Sequence, residues 1–212
     1  MSIQHHAAQV HHSFFALQGL ALRLTLPEHS SKHHRVAWAL LRLAFDHSVS
    51  ITDNFYHHGS SRAGLPFALL RPMNDAMKRG AWFALCATEQ QAVDFLDCET
   101  LPKQSTIVES LENCSPFNSS PFFSQQFEVA RTKFNDFTHG GKVVVGAYLS
   151  GHGIGAAFSE RDVHEILSYV EVVAMVAVQV MANVGAQYDP EIADQVIIAI
   201  GNMDWSGHQL PR

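Results

Sequence analysis

The chain predicts an all-α fold, an up-and-down helical bundle with two or three long helices as its spine. Three observations predict it. Apolar residues recur at three- and four-residue spacing over long stretches. Those stretches open on Ser, Thr or Asp and close on Gly or ahead of Pro, the residues that cap and stop helices. The one strand-like run, Val143–Val145, has no partner. A lone strand makes no sheet, so residues 142–149 read as a helical turn or short helix.

The elements follow in order. Residues 4–25 form a first helix, with Phe14, Leu17, Ala21 and Leu24 on one face and Pro27 as the stop. Ser30 or Ser31 caps a long second helix that runs to His58. Its apolar stripe is Trp38, Leu41, Phe45, Val49, Thr52 and Tyr56, and Gly59 ends it. Pro66 sits in the first turn of a third helix reaching Ala87. Pro72 lies deeper in that helix, where it leaves the Ala68 carbonyl without its usual donor.

Thr88 to Gln91 has the pattern of a capping box and opens a short helix to Cys98. Another short helix starts at Thr106. Residues 113–121, rich in Ser, Asn and Pro, are loop. A helix then covers residues 122–139. Residues 150–158 are a glycine-rich loop. Ser159 caps the most apolar helix, to Val184, and Asp189-Pro190-Glu191 opens the last, to Ile200. Residues 1–200 make a single helical domain, and residues 201–212 a loose C-terminal tail.

With 212 residues, 47% hydrophobic and 16% charged, the chain can bury a sizeable core. Its low charge content predicts that a second copy covers part of the surface, as a homodimer or larger homo-oligomer. A net charge of −6 argues against a general nucleic-acid coat while leaving room for a local basic site. The N-terminus has no basic segment followed by an apolar core, and three cysteines without C-x-x-C spacing fit a reduced, cytoplasmic protein. Residues 166–184 could span a bilayer by length. Glu171, Gln179 and Asn183 interrupt them, so a buried core helix is expected and no membrane partner.

Histidine is the compositional oddity, at 14 residues, several in pairs such as His5-His6 and His33-His34. Adjacent helical residues point about 100° apart and do not chelate one ion together. No metal or other cofactor is expected. The run Gly151-His152-Gly153-Ile154-Gly155 follows no strand and lacks the P-loop lysine, so it supports no nucleotide loop by itself.

The residues that carry chemistry lie on two helices. Arg71, Asp75 and Arg79 are spaced by four and form one stripe. Asn135 and His139 are also four apart, beside a helix stop at Gly140-Gly141. Together they suit a phosphate clamp, with Asp75 holding the arginines, His139 as acid or base and Asn135 as its orienter. Asp46, on the second helix, could orient His139 or pair with Arg79. The same residues also suit a buried ion-pair ladder that fixes helix register.

Three stretches resemble a family of uncharacterised bacterial all-helical proteins, a domain of unknown function. They are Ala44–Ile51 with its Asp46-His47, Ala68–Trp82 with Arg71, Pro72, Asp75, Arg79 and Trp82, and Phe134–Gly140 with Asn135 and His139. The third stretch is also similar to the signature of HEPN proteins, a helical superfamily of RNA-cleaving toxins, phage-defence effectors and nucleotide-binding relatives. That signature is Arg, a polar residue, three residues, then His. Phe134 stands where the Arg belongs, so Arg71 and Arg79 are the candidates to replace it. The resemblance implies a HEPN-like bundle that binds or cleaves RNA or nucleotide without metal, in a toxin-antitoxin or phage-defence setting. The alternative is a non-catalytic sensor, antitoxin or scaffold, with a protein as its partner.

Overall fold

The computed structural model describes residues 1–119, 121–125, 142–150 and 158–203. Among them every regular element is a helix. The long ones are α1 (Ile3–Ala21), α2 (Lys32–His58), α3 (Gly64–Leu85) and α7 (Glu160–Gly185). The short ones are α4 (Glu89–Cys98), α5 (Gln104–Glu112), α6 (Lys142–Ser150) and α8 (Pro190–Gly201). Residues 122–125 are helical as well.

The predicted caps operate as side-chain hydrogen bonds. Thr88 and Gln91 form the reciprocal capping box of α4. Ser159 accepts from the Asp162 N–H at the start of α7, and Asp189 from the Ile192 N–H at the start of α8. Gly59 ends α2 at φ +54°, backbone that a side chain would strain.

Four local expectations need correction. The first helix ends at Ala21, not residue 25, because the Arg23 and Leu24 N–H groups bond back to Leu20 and Ala21 in tight turns. Those turns drop Leu24 into the core ahead of Pro27. The buried face of α2 is rotated toward Ala37, Ala44, Ser48, Ile51 and Phe55, and Tyr56 is exposed. Ser31 makes no side-chain cap to α2. Both oxygens of Glu89, carried by α4, take the Lys32 N–H at 2.9 Å instead. Finally, α5 starts at Gln104, two residues before Thr106.

The spine is α2. It packs against α1, α3, α4 and α7, and α7 packs in turn against α1, α3 and α8. Sixteen residues of α7 are buried, among them Val170, Val173, Val176, Val178 and Val180. A fully buried Val or Leu contributes on the order of 1.5–3 kcal/mol. Among the described residues, α7 is the helix long and apolar enough to cross a membrane, and 72% of its apolar window is buried within the chain. The helix is thus a core element here, with Ser168 bonding back to the His164 carbonyl on its half-buried side.

Candidate functional site

Helix α3 carries the polar stripe. Asp75 lies 3.0 Å from the Lys78 ammonium and 3.9 Å from Arg71 Nε, contacts that i,i+3 and i,i+4 spacing make on a helix surface. The Lys78 side chain is 8% exposed, against 40% for Arg71. Burial holds the Lys78 pKa below that of an ordinary lysine, and the charge and hydrogen bond of Asp75 oppose that shift. Arg79 extends the stripe by one turn. Its Nε is buried and has no hydrogen-bond partner among the described residues. Two cations thus stand against one carboxylate and a third, Arg79, lies on the same stripe, an excess of positive charge on one helix of a chain whose net charge is −6.

Immediately before Asp75, Asn74 accepts a hydrogen bond from the Tyr169 hydroxyl of α7. The phenol is buried, and burial pushes its pKa upward, with the Asn74 bond opposing. Asn74, Lys78 and Tyr169 face a cavity of about 20 Å³ that Met77, Phe122, Phe123, Val173 and Val176 complete. That is room for about one water beside polar partners. Phe122 and Phe123 belong to the short helical stretch of residues 122–125.

The sequence-predicted residues divide as follows. Arg71, Asp75 and Arg79 share the α3 stripe as expected, but Asp75 pairs with Arg71 and Lys78 and not with Arg79. Asn135 and His139, with Phe134, lie outside the described residues. Asp46 is exposed on α2, and the expected pair with Arg79 is not formed among the described residues. Lys78, Asn74 and Tyr169 were not singled out by the spacing argument. Lys78 was legible as the i+3 neighbour of Asp75 and the i+7 neighbour of Arg71. Tyr169 showed only as one polar-tipped residue in an apolar run.

Several histidines act as links between elements. His6 Nδ1 on α1 is 2.8 Å from His164 Nδ1 on α7, and their rings stack. His34 Nδ1 is 2.8 Å from the Tyr188 hydroxyl, His33 is 3.0 Å from Glu89, and His11 is 3.1 Å from Asp53. Among the described residues, no three His, Cys, Asp or Glu side chains gather closely enough to hold a metal ion.

A family described as a family of unknown function, DUF6988, matches residues 41–198. The match runs from the middle of α2 into α8 and takes in the whole α3 stripe. It covers well over half of the 212 residues, and the chain belongs to this family. No curated protein and no solved structure matches the chain.

Proposed function

We propose that this member of the family is a HEPN-like bacterial protein that binds or cleaves RNA or a nucleotide in a defence or toxin setting, with the α3 stripe as its phosphate site. The observation that carries the reading is Arg79. A buried donor left without a partner costs about 1–3 kcal/mol, and a phosphate oxygen bound on this stripe would supply the acceptor that Arg79 Nε lacks among the described residues. Arg71 and Lys78 on the same stripe supply two further positive charges for a phosphate.

In this reading Arg79 and Arg71 replace the arginine that Phe134 displaces, and Asn135 orients His139. His139 takes the proton of the ribose 2′-hydroxyl as that oxygen attacks phosphorus. The 5′-oxygen leaves and takes up a proton from solvent water, and the cations carry the charge that develops on the phosphate. The protein works in the cytoplasm and needs no metal.

A second reading, a sensor, antitoxin or scaffold module, draws on a different observation. Asp75 already neutralises much of Lys78 and Arg71, and the cavity beside them holds only about one water. The two readings part on variants. For the nuclease, His139→Ala and Arg79→Ala lower RNA cleavage by roughly a hundredfold to ten-thousandfold and barely move the melting temperature. For the module, there is no cleavage to lose, and Arg79→Ala lowers the melting temperature. Melts run beside a cleavage assay on single-stranded RNA decide. Unchanged cleavage in both variants removes the nuclease reading.

A further inference from the structure

We propose that Cys86 and Cys114 form a reversible disulfide, a redox-modification site that staples the C-terminal end of α3 to the turn after α5. The two sulfurs are 3.2 Å apart, although 28 positions separate the residues in sequence. Cys86 is the residue that closes α3, and its N–H bonds to the Trp82 carbonyl. Cys114 follows α5, with its N–H on Leu111 and its carbonyl accepting from Phe117. Both backbones are held by hydrogen bonds, so the thiols are presented to each other by the fold. A disulfide bond is about 2.05 Å long, so side-chain rotation has about 1.1 Å to close. Both thiols are half-buried, and Cys98 at the end of α4 is exposed and stands outside the pair.

The chemistry is thiol exchange with a low-molecular-weight disulfide such as oxidised glutathione. One cysteine of the pair loses its proton and attacks one sulfur of that disulfide, forming a mixed disulfide and releasing one glutathione thiolate, which takes up a proton. The other cysteine, 3.2 Å away, then loses its proton, attacks the sulfur of the first and displaces the second glutathione, which takes up that proton. Two protein thiols are oxidised to one disulfide, and one small-molecule disulfide is reduced to two thiols. Burial, then the hydrogen bond and charge of Cys114, push the Cys86 thiol up to about 12. A thiolate is therefore scarce at this half-buried pair, and oxidation is slow.

The staple has a consequence beyond the two residues. The turn at Cys114 leads to Phe117, whose ring packs on Phe122 and Phe123. Those two rings wall the cavity beside Lys78. Oxidation fixes that wall to the end of α3, the helix that carries the cationic stripe.

The test uses the full chain in buffers of stepped oxidised-to-reduced glutathione ratio, followed by alkylation and peptide mass spectrometry. Cys86 and Cys98 fall on one tryptic peptide, because no Lys or Arg lies between them. The Cys98→Ser variant therefore assigns the link. The expected result is a cross-link between the Cys86 and Cys114 peptides in wild type and Cys98→Ser. It is absent from Cys86→Ser and Cys114→Ser and is reversed by dithiothreitol, with a higher melting temperature when oxidised. Full alkylation of Cys86 and Cys114 in oxidised Cys98→Ser overturns the proposal. So does a cross-link that forms with a lower melting temperature, which means the fold must distort to make the bond.

Discussion

Arg79 and Lys78 are adjacent in sequence and solve the problem of a partly buried cation in different ways. Lys78 keeps its charge against Asp75, whereas Arg79 Nε has no acceptor among the described residues. The spacing of arginines made the stripe legible. It did not reveal which cation the carboxylate would choose, because that depends on which face of α3 turns inward. His34 carries a pH prediction at the same scale. It is buried on α2 with its Nδ1 on the Tyr188 hydroxyl. Burial, then the neighbouring His33, hold its pKa below the ordinary value, and Glu89 opposes them. As pH falls through about 6.5 the unfolded chain takes up the proton before the folded chain does. The stability that neutral His34 supports is therefore complete above that pH and declines below it. Melts from pH 8 to 5.5 should show a wild-type decline that is shallower in His34→Asn. Parallel declines in the two proteins would show that other groups set the acid limit.

At the scale of elements, the tightest constraint is the crossing of α2 and α3. A Cβ on Gly80 would stand 2.9 Å from Leu41 Cγ and 3.1 Å from the Leu41 backbone nitrogen. Helix propensity alone makes Gly80→Ala stabilising by about 1 kcal/mol. Overpacking at a backbone contact costs roughly 1–3 kcal/mol, and the crossing cannot widen without opening the rest of the α2–α3 interface. The expected net effect is a loss of about 1 kcal/mol in chemical denaturation, and a stabilised variant would show that the two helices can part cheaply. The contact also shows the boundary of what the sequence discloses. Caps at Thr88, Ser159 and Asp189 and the stop at Gly59 use residues within one turn of each other, so they were legible one at a time. The Glu89 cap on α2, the Tyr169–Asn74 bond and the rotated face of α2 join residues far apart in sequence. Local spacing carries no information about such pairs. Asn135 and His139 and the α3 half of the candidate site were all named by spacing together with resemblance.

The whole molecule shifts the argument for self-association from one surface to another. Low charge content argues, from sequence, for a second copy, yet α7, the most apolar helix, offers little surface for one, because most of it is consumed within the chain. Val196 and Ile200 of α8 are likewise buried. What stays in water is a set of single large apolar side chains on several elements. They include Phe15 at 74% exposure, Leu22 at 73%, Leu149 at 81% and Ile198 at 63%. Scattered apolar residues are ordinary on a soluble surface, and only a contiguous patch beyond a few hundred Å² demands cover. The low charge content still favours association, because few like charges keep two copies apart. A symmetric dimer should bury its apolar contact twice, once from each protomer, so one substitution acts at two places. Light scattering at micromolar concentration is expected to give twice the 23.5 kDa of one chain. Replacing Phe15 on α1 and Leu22 at its C-terminal cap by Glu, which leaves the core untouched, is expected to return the mass to that of one chain if this end of α1 carries the contact. A wild-type mass of 23.5 kDa across that range would mean that a single chain covers its own apolar surface, and the low charge would then need no partner to account for it.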